Sequence, residues 1–330
     1  MREVIVTGGA GYIGSHIAQE FLDQGFHVHV IDNLQTGYKE FIPVGAQVHV
    51  ADIRNSEQIS DVFAQLKNPT RAGVIHAAGL KFAGESLKAP LDFYEANTSA
   101  TVQLLKVMSR FGVSSLVFSS SSSVYGQHGI NGAVAEDSPL MPISPYGRSK
   151  LFAEEIINDV KVPLEINSIA LRYFNVIGNR HGCGLDLSNF NLLPNLYRAA
   201  ESNKLIKIFG DSYSTPDGTC IRDYVDVRQL AKAHFDSLEL LSSKMLAPPA
   251  INLGSGNGYS VQEVIEVLQD EIRRSLKIEV VPGRLGDPAV TLADISTARK
   301  ILDWKPTYSL RESVVAGWEA WKSKPELQSH

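Results

Sequence analysis

The sequence has little of what would staple, anchor or charge a fold. It carries two cysteines in 330 residues, Cys183 and Cys220, at no CxxC or zinc spacing. That excludes a disulfide framework and points to small buried thiols in a reducing compartment. The 31 basic and 36 acidic residues are interspersed, with no lysine- or arginine-rich run. A nucleic-acid or anionic-membrane surface therefore has no electrostatic support, and neither is expected as a partner. No apolar stretch approaches the roughly 20 residues of a spanning helix, and the opening run, ending at Thr7-Gly8, is too short for a secretory leader. The histidines show no metal-ligand spacing, so His76 and the others are expected to pack or face solvent and no metal is expected. The expectation is a soluble, cytoplasmic protein.

What is present is a globular composition, 44% hydrophobic and 20% charged, which excludes a disordered or coiled-coil chain. The length predicts roughly two domains at about 150 residues each. In the first half, short apolar runs alternate with helical patterns. Strands are predicted at Val4-Ile5-Val6, 28–31, 47–50, Val74-Ile75 and Leu116-Val117-Phe118, and helices at 12–24, 56–67 and 91–110. Such alternation means right-handed crossovers onto a doubly wound parallel sheet with helices on both faces. Beyond residue 175 the rhythm loosens into polar loops and helices near 192–202, 261–273 and 309–322. Two strands, near 224–227 and 251–253, are expected to rejoin the main sheet. The predicted division is 1–175 and a smaller C-terminal α/β unit over 176–330.

Thr7-Gly8-Gly9-Ala10-Gly11-Tyr12-Ile13-Gly14 sits between the first strand and the first helix. In that context the glycines let the backbone turn tightly and approach a pyrophosphate at the helix N-terminus. Asp32 ends the second strand, where a carboxylate accepts from ribose hydroxyls and repels a 2′-phosphate; Asn33 follows it, and NAD is favoured over NADP. Tyr146 and Lys150 stand four apart on one helix face, just after Pro145. A neighbouring ammonium would bring the tyrosine's pKa down from near 10 toward the working pH of a general base. Ser119 to Ser123 follow directly on a parallel strand, and a hydroxyl there, such as Ser121, can relay a proton to the tyrosine.

Taken together and in order, these motifs resemble the extended short-chain dehydrogenases/reductases, and within them the UDP-glucose 4-epimerase family. Carrying the resemblance are the glycine loop, Asp32-Asn33, His76-Ala77-Ala78-Gly79, the serine run, Ser144-Pro145-Tyr146-Gly147-Arg148-Ser149-Lys150 and Arg172-Tyr173-Phe174-Asn175. Gly79-Leu80-Lys81, Asp217-Gly218-Thr219, Arg222-Asp223-Tyr224, Asn252-Leu253-Gly254 and Arg284 with Gly286-Asp287 extend it over nearly the whole chain. The resemblance implies a Rossmann domain and reversible C4 epimerisation of UDP-glucose and UDP-galactose through a 4-keto sugar, using tightly bound NAD. It implies Tyr146, Lys150 and Ser121 as catalytic residues. Gly8, Gly11, Tyr12, Ile13, Asp32, Asn33, Asp52, Ile53, Ala77, Lys81, Asn97 and Phe174, with Tyr146 and Lys150, would contact NAD. Asn175, Asn191, Leu192, Arg222, Arg284, Asp287, Thr291 and Ser123, with Ser121 and Tyr146, would hold the UDP-hexose; a guanidinium fork suits a diphosphate. A homodimer paired through helices near 97–110 and 146–159 is also implied.

The chain departs from the family pattern in places. Ala77 stands where Phe is common, Val176 where Pro is usual, and Ser122-Ser123 where Ala-Thr is typical. Thr291 falls where relatives carry either a bulky tyrosine or a small residue, so N-acetylated UDP-hexoses are candidate substrates. Ser121-Ser122-Ser123 lacks the acids a 4,6-dehydratase needs. A UDP-glucuronate epimerase or decarboxylase stays open as an alternative, as does a non-catalytic NAD sensor, although the latter predicts loss of Tyr146 or Lys150.

Overall fold

The computed structural model describes residues 2–127, 132–243, 247–283 and 287–324. The apolar runs of the first half form β1 (Glu3–Thr7), β2 (His27–Asp32), β3 (Gln47–Val50), β4 (Gly73–His76) and β5 (Ser115–Ser121). β6 (Asn167–Tyr173), β7 (Asn175–Ile177), β8 (Ile206–Phe209) and β9 (Ile221–Asp226) follow, then β10 (Ala250–Leu253), β11 (Gly258–Ser260), β12 (Ile278–Val281) and β13 (Val290–Thr291). The main sheet runs β10-β6-β5-β4-β1-β2-β3, with every neighbour parallel. The chain builds outward from β1 to β3 and then returns to β4 on the other side of β1. That reversal opens a crevice above the C-terminal ends of β1 and β4, where ligands bind in such sheets.

Helices α1 (Tyr12–Asp23), α2 (Ser56–Phe63), α3 (Ala83–Ser86), α4 (Pro90–Phe93), α5 (Ala100–Phe111) and α6 (Pro145–Val160) belong to the first half. The second half holds α7 (Leu192–Ser202), α8 (Val227–Ser242), α9 (Val261–Ile272), α10 (Ser296–Leu302) and α11 (Leu310–Lys322). Phe21 of α1 and Leu230 and Leu238 of α8 fill one face of the sheet; Phe63 of α2, Leu104 and Met108 of α5 and Ile157 of α6 fill the other. With both faces covered, β1 and β4 are buried along their whole length, hence the unbroken apolar runs. α9 and α11 each start with a serine whose hydroxyl and a following glutamate close a capping box.

Three expectations are corrected. The helix predicted over 91–110 is interrupted by a π-helical turn, Tyr94–Ser99, which turns Asn97 inward. The helix predicted over 56–67 stops at Phe63, because the amides of Lys67 and Asn68 turn away to donate to Glu3 Oε2 at 2.9 and 3.0 Å. Of the two late strands only β10 rejoins the main sheet. β9 pairs with β7, β11 and β13 in a separate sheet, while β8 and β12 form a two-stranded pair. Around these lies a second core of Leu196, Tyr197, Leu268, Val314, Trp318 and Trp321.

The chain crosses between the sheets within two residues, since β6 ends at Tyr173 and β7 starts at Asn175. α1 is latched to the loop just beyond: Tyr12 Oη donates to the Gly178 carbonyl at 2.6 Å, and the amides of Arg180 and Gly184 donate to His16 Nε2 and Ser15 Oγ, each at 3.0 Å.

Candidate active site

The crevice begins at the glycine loop. Gly8 has φ +75°, and a Cβ there would stand 2.7 Å from the Ala78 amide nitrogen; one on Gly14 would overlap the Gly8 carbonyl. Only hydrogen fits at these two positions. Gly11 is the N-cap of α1 and brings no side chain to the cap, so the first-turn amides of Tyr12 and Ile13 stay free for an anion. This bare, close-packed helix start fits a pyrophosphate. At the end of β2, Asp32 accepts from the Ala10 and Leu34 amides at 3.0 and 2.9 Å, which fixes its carboxylate at the loop's edge. Burial pushes its pKa up while those two amides oppose the shift.

Asn33 Nδ2 donates to Asp52 Oδ2 at 2.9 Å, and Arg54 binds the same carboxylate at 2.6 Å. The Arg54 guanidinium holds Asp52 well below the usual carboxylate range. Arg54 was missed in the sequence; its guanidinium is committed to Asp52 through two bonds. Ile53 and Phe174 are 8% and 5% exposed and lie in the two cores, so their side chains face the protein interior. Ala77 is half-buried, its amide donating to the Thr7 carbonyl.

Asn97 is a staple. Its Oδ1 accepts the Leu80 amide at 2.7 Å, and its Nδ2 donates to the Leu80 carbonyl at 3.0 Å and to Ser149 Oγ at 2.9 Å. The π turn thus ties the Gly79–Lys81 loop to α6. Gly79, at φ +154°, has room for no Cβ, which would stand 2.6 Å from Asn97 Oδ1. Lys81 reaches outward to Asp186 at 3.4 Å.

Ser144 caps α6 by accepting the Gly147 amide at 3.1 Å, and Pro145 opens the helix. That start sets Tyr146, Lys150 and Glu154 along one face, against the end of β5. Lys150 Nζ donates to the Ser119 carbonyl at 2.9 Å and lies 4.8 Å from the Phe118 ring centre. Burial lowers its pKa to about 8, with Glu154 opposing. Burial raises the Tyr146 phenol, and a hydrogen bond with Ser121 pulls the other way. In the protein alone the tyrosine therefore moves opposite to the direction a general base needs. Ser121 Oγ donates to Ser123 Oγ at 3.1 Å.

The strand runs further into the serines than Leu116-Val117-Phe118 implies. Ser119 and Ser120 are fully buried: Ser119 Oγ pairs with His234 Nε2 at 2.8 Å, and Ser120 donates to Glu154. Glu154, also missed in the sequence, holds the Arg172 guanidinium at 2.6 Å, with both groups almost fully buried. Arg172 continues to Tyr125 Oη at 2.9 Å, and Tyr125 donates to Asn252 Oδ1 at 2.7 Å. Its signal was a glutamate at i+4 from Lys150, on a helix face otherwise committed to the interior.

On the far side, Asn175 is exposed at the start of β7, and Asn191 is the exposed N-cap of α7, just before half-buried Leu192. Asn191 Nδ2 donates to Asp186 Oδ2 at 2.6 Å, so Asp186, unmarked in the sequence, joins Asn191 to Lys81. Arg222 on β9 donates to Asp287 Oδ1 at 3.0 Å and to the Pro288 carbonyl at 2.8 Å. Half-buried Thr291 on β13 lies opposite Arg222 in register. Arg284 lies outside the described residues.

The family model for the NAD dependent epimerase/dehydratase family matches residues 4–254. The chain belongs to this family. The UDP-glucose 4-epimerase of Dictyostelium discoideum is 40% identical to it, over 97% of this chain and 95% of that one. Two crystal structures extend the likeness. One is a UDP-glucose 4-epimerase of Stenotrophomonas maltophila with bound NAD and formylated UDP-arabinopyranose, 32% identical at TM-score 0.90 over 99% of both chains. The other is the Bifidobacterium longum enzyme with NAD+ and UDP, 33% identical at TM-score 0.89, over 98% of this chain and 99% of that one. As a member of an NAD-dependent family, the chain carries the nucleotide loop at the end of β1, an acidic residue at the end of β2 and the Tyr-Lys helix against the end of β5.

Proposed function

We propose that the chain interconverts UDP-glucose and UDP-galactose at C4 through a 4-keto sugar, with NAD held throughout. The observation that carries the reading is the convergence of Tyr146, Lys150 and Ser121 at the end of β5, beside the bare N-terminus of α1. Bound NAD supplies reversible hydride acceptance at the sugar carbon. Tyr146 takes the 4-hydroxyl proton and returns it, with Ser121 as hydrogen-bond partner to both. Burial raises the Tyr146 phenol above its ordinary value in the protein alone. Its ionisation at working pH therefore needs positive charge beside it, from Lys150 and oxidised NAD. Gly8, Gly11, Tyr12 and Ile13 hold the pyrophosphate, Asp32, Asn33 and Asp52 the adenosine side, and Lys150 the nicotinamide ribose. Asn97 positions the Gly79–Lys81 loop and, with Lys81, borders the cofactor. Asn175, Asn191, Leu192, Arg222, Arg284 and Asp287 grip the uridine diphosphate and leave the hexose free to turn.

Within the same reading, residues 1–175 serve NAD and 176–330 the nucleotide sugar. Thr291, small beside Arg222, leaves space for a 2-acetamido group, so UDP-GlcNAc and UDP-GalNAc are substrates too. Two copies pair across the α5 and α6 side, where Phe152 is 42% exposed and Leu91 of α4 is 78% exposed. Work in the cytoplasm fits the two unbonded cysteines; among the described residues no helix is long and apolar enough to cross a membrane.

The test is purified protein with UDP-galactose and no added NAD, followed by NMR. An equilibrium mixture with UDP-glucose at unchanged mass is expected. No turnover, with or without added NAD, overturns the reading, as does turnover of UDP-glucuronate alone. Light scattering checks the pairing, and UDP-GlcNAc checks Thr291.

A further inference from the structure

At the opposite end of the sheet from the crevice, the starts of β1, β2 and β3 carry a polar cluster. Glu3 lies opposite His27 in the β1–β2 register, His29 follows two residues on along the same face, and Gln47 lies beside His29 on β3. Glu3 and His29 are 4% and 1% exposed, and His27 is half-buried. One ligand atom of each of these three residues lies within 4.8 Å of the others.

The partners of the other polar atoms leave a specific gap. Glu3 Oε2 accepts the amides of Lys67 and Asn68, so it is satisfied. Among the described residues, Glu3 Oε1 and His29 Nε2 are both buried with no hydrogen-bond partner. They face each other at 3.6 Å, too far for a hydrogen bond. Ligand bonds near 2.0–2.1 Å at a tetrahedral ion would set an N···O separation of about 3.3 Å, close to that gap. The other nitrogen of His29, Nδ1, pairs with His49 Nε2 at 3.0 Å, and His27 Nε2 pairs with Gln47 Oε1 at 3.1 Å. Such outer partners fix ring tautomer and orientation around metals; with His49 accepting from Nδ1, the Nε2 lone pair of His29 is free to point at Glu3.

We infer that Glu3, His27 and His29 form a binding site for one divalent transition-metal ion of the zinc class. Two imidazoles and one carboxylate suit zinc or cobalt rather than magnesium or calcium, which prefer all-oxygen sets. Water completes the tetrahedron from the half-exposed His27 side. Because the ligands come from β1 and β2, the ion acts as a clip across the first strand pair, remote from the chemistry. Sequence spacing hides the site, since its ligands are 24 and 26 residues apart across two strands.

The test uses the full chain without an affinity tag, stripped with chelator and titrated with Zn2+ and with Co2+ as a spectroscopic probe. We expect one ion per chain, visible bands of a four-coordinate cobalt site without thiolate charge transfer, and a thermal midpoint that rises with metal concentration. His27→Ala, at the half-exposed position, and Glu3→Gln should each weaken binding at least tenfold and abolish the thermal rise, while turnover of UDP-galactose stays unchanged. No saturable binding at micromolar metal overturns the inference. So does binding that both variants retain, or cobalt bands with thiolate character, which would move the ion to Cys183 or Cys220. Because turnover is read separately, failure here leaves the proposed epimerisation standing.

Discussion

The cofactor side and the sugar side of the crevice are built differently. On the cofactor side nearly every polar group has an internal partner: Asp32 is held by two backbone amides, Asn33 by Asp52, Asp52 by Arg54, and Asn97 by three bonds across two elements. On the proposed sugar side Asn175 and Thr291 sit on three-residue β7 and two-residue β13, and exposed Asn191 at the N-cap of α7 donates to Asp186, while Arg222 on six-residue β9 is held by Asp287 and the Pro288 carbonyl. In the proposed reading, a rigid cradle suits a cofactor that stays, and exposed groups on short elements around one anchored arginine suit a substrate that must enter, turn over and leave.

Substitutions should separate the two sides. The largest effect is expected from Tyr146→Phe, which removes the proton carrier: turnover should fall by about 10²–10⁴-fold with the circular-dichroism spectrum and NAD content unchanged. Near-normal turnover would move the proton chemistry elsewhere. Next comes Glu154→Gln, which leaves the Arg172 guanidinium buried without its carboxylate. Unfolding by denaturant should show a loss of about 3–5 kcal/mol. On the sugar side, Arg222→Leu should raise KM for UDP-galactose by roughly 10- to 100-fold, the worth of a charge-assisted bond, with NAD retention and unfolding midpoint little moved. A variant that loses NAD instead would erase the distinction between the sides.

The last prediction concerns pH. Lys150 has a folded pKa of about 8 against an ordinary 10.5, because burial disfavours its charge. Below pH 8 the folded state carries that cost. Between 8 and 10.5 the folded lysine is neutral while the unfolded chain still binds the proton, so stability rises with pH across the window. The unfolding free energy of the wild type minus that of Lys150→Met should therefore increase from pH 8 upward; a flat difference would refute the burial argument.

The same division decides what could be read before folding. β1, β2, β4 and β5 are apolar runs because both faces of the sheet are covered, and Gly8 and Gly14 are forced by backbone contacts local to the loop. Tyr146 and Lys150 fall on one face by helical spacing alone. Glu154 and Asp186 escaped because their partners, Arg172 for one and Lys81 and Asn191 for the other, lie 18, 105 and 5 residues away on other elements. β9 looked like a main-sheet strand since apolar content reports burial and not which sheet buries it. The π turn around Asn97 was invisible because helical periodicity survives one widened turn.

The latch between α1 and the loop after β7 bears on how the gene product can be cut. Tyr12, Ser15 and His16 satisfy one carbonyl and two amides that belong to residues 178–184. A fragment ending at residue 175 would leave those three side chains, all buried in the whole chain, facing solvent or nothing, and would also lack β10 at the sheet's edge. The N-terminal half, self-contained as it looks on paper, is therefore a poor candidate for a portable nucleotide-binding module. Any truncation, fusion or circular permutation should keep the 178–184 segment on the same chain as the glycine loop.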